Sequence, residues 1–85
     1  MMDEKVEAVS KILSEWNPLG NDAKNISDLD EYRTEASDIL FNIEMSFNKK
    51  INLTNILKIV LNQAFDLNLT NEDCYEAAKK IKLIL

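Results

Sequence analysis

The side chains of most obvious chemical potential in this chain are fifteen carboxylates and one thiol. There is no histidine. That removes the commonest general base, the commonest metal ligand and every Ser–His or Cys–His nucleophile. It also removes the Glu-x-x-His pairs of a di-iron bundle. Cys74 has no CxxC partner and falls on an apolar helical stripe. The spacing makes it a small buried hydrophobe, the alternative being a reactive thiol near a helix N-terminus. A single glycine cannot build a phosphate-cradling loop. Asp22, Asn25, Asp28 and Asp30 invite comparison with a calcium loop, but the alternating D-x-[DN]-x-[DN]-G pattern with its later Glu is absent. Two carboxylates could share acid–base work if a cleft raised one pKa, and a chain of 85 residues has little room for such a cleft. The expectation is a protein that is not an enzyme, with no catalytic residue, no metal site and no cofactor.

What remains is an acidic constellation. Asp28, Glu31, Glu35 and Asp38 recur at intervals of three, four and three, which places them on one edge of a helix. Asp22 and Asp30 add to it from the preceding loop and first turn. One reading is a solvated face whose charges also favour the helix N-terminus. The other is a docking strip for a basic protein, with charge complementarity speeding encounter and rejecting wrong partners. The net charge of −5 is uneven. Residues 1–48 carry four basic and eleven acidic side chains, or −7, whereas residues 49–85 carry six and four, or +2. Nucleic-acid binding needs a basic face to displace counterions, so nucleic acid is not an expected partner.

Helices must position these groups. Apolar residues recur at threes and fours in four segments, predicting helices near 3–16, 28–48, 53–66 and 71–84 and no strand. The stripes are Val6, Val9, Ile12, Leu13 and Trp16; then Leu29, Tyr32, Ala36, Ile39, Leu40, Ile43 and Phe47; then Leu53, Ile56, Leu57, Val60, Leu61, Ala64 and Phe65; then Cys74, Ala77, Ala78, Ile81, Ile84 and Leu85. The third segment is nearly uncharged and reads as the most buried helix. Ser27 with Asp30, or Asp28 with Glu31, has capping-box spacing for the second helix. Asn52 or Thr54 opens the third, and Thr70 caps the fourth. Leu67 and Leu69 in the last connection read as plugs for the core. The only Trp, Pro and Gly fall within Trp16-Asn17-Pro18-Leu19-Gly20. Pro18 keeps Asn17 out of the helical region, so the first helix stops at Trp16. Trp16 reads either as an anchor in the core or as an exposed recognition residue.

The fold class is therefore all-α: one domain over residues 1–85, a compact bundle of four helices with one long loop, 17–27, after the first. One cysteine allows no internal disulfide. No apolar run is long enough to span a membrane and the N-terminus lacks a signal peptide's features, so the expected place is the cytoplasm.

Trp16-Asn17-Pro18-Leu19-Gly20, Tyr32-x-x-Glu35-Ala36 with Ile39, then Ile56, Ile59, Ala64-Phe65-Asp66, then Cys74, Ala78 and Ile81 form an ordered set. Over about residues 6–83 the set resembles the small helical YugE-like proteins, which carry a Trp-Asp-Pro-x-Gly corner. Asn17 stands where that family has Asp, and the stretch from Trp16 to Tyr32 is longer here. The resemblance implies an all-helical fold with no assigned activity. The same wording is similar to bacterial toxin-immunity proteins of the contact-dependent inhibition type, which are small, acidic and non-catalytic. That likeness implies a cytoplasmic module that neutralises a basic toxin by stoichiometric binding. It transfers no contact residue; the expected partner-binding residues are those of the acidic strip, Asp22, Asp28, Asp30, Glu31, Glu35 and Asp38. The competing expectation is a small structural or regulatory helical protein, acting as a homodimer. Neither involves nucleic acid or a membrane.

Overall fold

Only one of the three expected connections needs a proline, and it ends the first helix where the sequence requires. In the computed structural model, which describes residues 2–26, 29–45 and 52–85, α1 runs Met2–Trp16. Asn17 follows at φ 51°, its N–H donating to the Leu13 carbonyl at 2.7 Å. This is a left-handed helix stop, a conformation that Asn tolerates better than most residues. Gly20 is also left-handed, at φ 59°, and a Cβ there would meet nothing within 4 Å. Its requirement is one of backbone conformation, not of space.

Three further α-helices complete the bundle: α2 over Arg33–Met45, α3 over Leu53–Phe65 and α4 over Asn71–Ile84. Among the described residues there is no strand. Each helix packs on the next, and α4 closes the ring against α1. The caps are local. The Asn52 side chain accepts from the Asn55 N–H at 3.1 Å. Thr70 Oγ1 accepts from the Asp73 N–H at 3.2 Å, and the Asp73 carboxylate accepts from the Thr70 N–H at 2.9 Å, a full capping box. Asp66 ends α3 at φ 53°. Asn62 then holds the connection to α4 with two bonds to Leu69, donating from Nδ2 to its carbonyl at 3.2 Å and accepting its N–H on Oδ1 at 2.8 Å.

The core is built from all four helices. Val9 and Leu13 of α1, Ala36 and Ile39 of α2, Leu57 and Leu61 of α3, and Cys74 and Ile81 of α4 are fully buried. Leu67 and Leu69 are packed against this cluster, as expected of plugs, and so is part-buried Trp16. Trp16 therefore belongs with the core-anchor reading.

Four expectations need correction. The second α-helix does not start near residue 28: its α-helical stretch begins at Arg33, because the chain turns left-handed just before it. The segment after Pro18 is not an open loop. It forms a 3₁₀ helix over Gly20–Asn25, with Leu19 buried and Ala23 and Ile26 against the core. The third helix is not the most buried. Leu57 and Leu61 are its only fully buried positions among the described residues, and Ile59 and Ala64 face solvent. Low charge raised its hydrophobicity on every side, while only one stripe meets the other helices. Finally, Ile84 and Leu85 are 42% and 50% exposed, not core: α4 carries its apolar periodicity into its last turn, where none of the described residues buries it. Ser27, Asp28, Phe47, Asn48, Lys49 and Lys50 lie outside the described residues, and so does the expected end of the second helix.

Candidate functional site

Ahead of α2 the backbone takes three successive left-handed residues: Asp30 at φ 46°, Glu31 at φ 55° and Tyr32 at φ 65°. Leu29 before them and Arg33 after them are right-handed, at φ −60° and −62°. Left-handed backbone costs a non-glycine residue about 1–2 kcal/mol. Asp is among the tolerant residues; Glu and Tyr are not. Such a turn persists only where its surroundings over-determine it.

Those surroundings come from distant parts of the chain. Turning left-handed takes the Glu31 carbonyl out of the helical ladder. Ser10 Oγ of α1 donates to it at 2.5 Å and Ser14 Oγ, one turn on, at 3.2 Å. The Tyr32 ring is buried, meeting Phe65 of α3 edge-on at 5.9 Å between centroids. Its hydroxyl donates to Asn17 Oδ1 at 2.8 Å and accepts the Leu19 N–H at 3.3 Å, while Asn17 Nδ2 donates to the Gly20 carbonyl at 3.2 Å. The corner after α1 and the turn before α2 are thus one hydrogen-bonded unit. Position 17 needs an acceptor oxygen for this, which either Asn or Asp supplies.

The unit leaves Asp30 and Glu31 side by side in solvent. Arg33 stands next to them. Its guanidinium donates to Glu7 at 2.8 Å and lies 3.7 Å from Asp30. The Glu7 bond, followed by the charge of Glu7 itself, holds the Arg33 pKa above its ordinary value. Asp22 is exposed on the 3₁₀ helix and Asp38 is exposed on the outer side of α2. Glu35 is not on this surface: it is 8% exposed and turned into the protein. The expected edge of four carboxylates is therefore broken. The register was counted along one unbroken helix from 28, and the left-handed turn resets it, with Glu31 ahead of α2 and Glu35 rotated inward. Asp28 lies outside the described residues. Among the described residues no three acidic or sulfur-bearing side chains gather as a metal ion's ligands would.

Ser10, Ser14 and Asn62 were not singled out from the sequence. Ser10 carried a signal, since it is a polar residue inside the apolar stripe of Val6, Val9 and Leu13, and it is 2% exposed. A buried hydroxyl must find an acceptor. Comparison of the chain with family models, with curated proteins and with solved structures finds no match.

Two consequences can be measured. Glycine at position 31 would accept the left-handed φ without steric cost, less the chain entropy that glycine loses on folding. Glu31→Gly is expected to raise stability by up to about 1 kcal/mol, read as a higher urea midpoint at unchanged m-value. A lower midpoint would mean that the turn is not strained.

The second is alkaline sensitivity. Burial pushes the Tyr32 hydroxyl above its ordinary 10.0, with the charge of Glu35 adding and the Leu19 N–H opposing. Burial likewise pushes the Cys74 thiol above 9.0, with Asp73 adding and Lys58 opposing. Both groups keep their proton more tightly when folded, so their contribution is complete below the unfolded-state values and is lost as pH rises through the folded ones. Stability should be insensitive to these two groups below about pH 8.5 and fall above it, with Cys74→Ala removing the earlier part of the fall. Urea midpoints measured against pH test this. An unchanged midpoint up to pH 11 would contradict it.

Proposed function

We propose that this chain is a non-catalytic protein-binding module that docks a basic partner through the exposed carboxylates Asp22, Asp30, Glu31 and Asp38, most specifically as an immunity protein that neutralises a cognate toxin by stoichiometric cover. Asp28 belongs to the same proposed surface by its place in the sequence. Glu35 acts from beneath it, as a buried residue of the supporting framework.

The observation that carries the reading is the left-handed turn. Strain of this kind is kept at ligand-contacting segments when the conformation it imposes is useful. Here it holds two adjacent carboxylates in solvent on a backbone fixed from α1 by two serine hydroxyls. A fixed anionic surface loses little entropy when a cationic one docks. The acidic excess of the N-terminal half adds long-range attraction. The likeness to toxin-immunity proteins supplies the biological role, and the corner supplies the means.

The test is co-expression with the product of the neighbouring gene. That product alone should arrest growth, this chain should restore it, and calorimetry on the purified pair should give one copy of each. A neighbour that is harmless, or one that arrests growth without binding this chain, overturns the immunity role. The alternative role is a small regulatory or structural helical protein acting as a homodimer.

A further inference from the structure

A surface helix of a folded domain is apolar toward the core and polar away from it. α2 departs from that rule. Its buried stripe is Ala36, Ile39 and Leu40, with part-buried Ile43 one turn further on. Phe41 and Met45 stand about 160° around the helix from Ile43, at about 3.6 residues per turn, on the side away from the core. They are 58% and 70% exposed. Thr34 and Asp38 are exposed on the same line, so one solvent-facing stripe runs Thr34, Asp38, Phe41, Met45 at helical spacing. Single exposed apolar residues are ordinary. Two large ones a turn apart, opposite the buried stripe, make a patch that folding does not account for.

Charge decides what covers the patch. Asp38 lies one turn before Phe41 and Glu44 one turn after it, so a carboxylate flanks the ring on either side along the helix. Both are exposed, and among the described residues no ion pair engages either. α2 has no basic residue after Arg33. Laying this face on the same face of a second copy would set carboxylates against carboxylates with no cation between them, which is unfavourable. The fitting surface is a foreign one: an apolar cleft rimmed by lysine or arginine.

We propose that Phe41 and Met45 are the apolar anchor by which this protein holds a basic protein partner, seated in a cleft of that partner whose cationic rim meets Asp38 and Glu44. The inference rests on the docking reading above and names what keeps the partner once the carboxylates have drawn it in. Asp38 belongs to both sets, so the anchor continues the proposed acidic surface along α2. The two sets do different work. Charges act across solvent and set the rate of association, whereas apolar anchors act only in contact and set the rate of dissociation. Met45 suits an anchor because its unbranched thioether adapts to an irregular cleft.

The experiment uses two synthetic helical peptides as probes, one with leucine along a face bordered by lysine, the other with alanine for each leucine at the same charge. Each is titrated into the isotope-labelled full chain. Amide shifts should gather on Asp38, Phe41, Glu44 and Met45, and the leucine peptide should bind at least tenfold more tightly than the alanine peptide. Phe41→Gln with Met45→Gln keeps the charge and the helix preference, and should weaken the leucine peptide at least tenfold while leaving the alanine peptide unchanged. Both positions are exposed, so thermal melts should coincide with the parent. Shifts that gather away from α2 overturn the proposal, as does a leucine peptide that binds no better than the alanine one or is indifferent to the two glutamines. So does a parent that sediments as a dimer and turns monomeric in F41Q/M45Q, which would give the face to a second copy. The toxin of the co-expression test is the third probe, and F41Q/M45Q should speed its dissociation at least tenfold at an unchanged association rate. A harmless neighbour ends the immunity role and leaves the peptide result standing. A toxin that binds the variant with unchanged dissociation ends the anchor and leaves the docking reading standing.

Discussion

Tyr32→Ala is expected to destabilise the fold by about 3–5 kcal/mol, a large share of what an 85-residue domain has. The ring is 2% exposed and packs edge-on against Phe65, so its removal opens a cavity between the turn ahead of α2 and the end of α3. The hydroxyl adds a separable part. Tyr32→Phe keeps the ring and leaves Asn17 Oδ1 and the Leu19 N–H without their partner, at a cost of about 1–3 kcal/mol. Asn17→Ala should overlap with Tyr32→Phe, because both break the same bond. A double-mutant cycle read by urea denaturation measures that overlap. If the two substitutions simply add, the corner and the turn are not coupled through the hydroxyl.

Neutralising the acidic corner is expected to act on binding and not on folding. In Asp22→Asn, Asp30→Asn, Glu31→Gln and Asp38→Asn combined, all four side chains are exposed, and exposed charges contribute only about 0–1 kcal/mol each to stability. Association with a basic partner should slow by roughly ten- to a thousandfold at low salt, the range over which electrostatic steering acts. The deficit should shrink as salt rises and screening shortens the reach of the field. Stopped-flow association rates against ionic strength provide the measurement, with the toxin that passes the co-expression test as the partner. Equal rates and equal salt slopes for the two forms would return these carboxylates to ordinary solvated surface. Glu35 does not belong to this set. It is buried, so Glu35→Gln would change the protein's interior and confuse a binding effect with a folding one.

The separation between those two experiments follows what could be read from the residues in order. The four apolar stripes located the helices because a helix face is set by neighbours three and four positions apart, which are all within the segment itself. The stop at Trp16 and the caps at Asn52 and Thr70 were legible for the same reason: Pro18, Gly20 and the capping side chains act within a few residues. The helix ends were less legible. Ile84 and Leu85 continue the α4 periodicity, yet both are exposed. Periodicity states which face is apolar; it does not state whether anything packs there.

The site was legible in its composition and illegible in its geometry. Asp30, Glu31 and Asp38 were singled out as exposed carboxylates, and they are exposed. Their arrangement is not a helix edge. The left-handed turn at residues 30–32 runs against the local preferences of Glu and Tyr, so no local rule predicts it. It is imposed by Ser10, twenty-one residues away along the chain, by Ser14, and by the Tyr32 hydroxyl reaching back to Asn17. By itself the sequence determined an all-α chain, its helix stops and an acidic first half, since these rest on composition and on interactions between near neighbours. The tertiary structure alone decided that Glu35 goes inside and that Glu31 stays out. That outcome depends on which hydroxyls and carbonyls from separate helices end up within bonding distance once the core has closed.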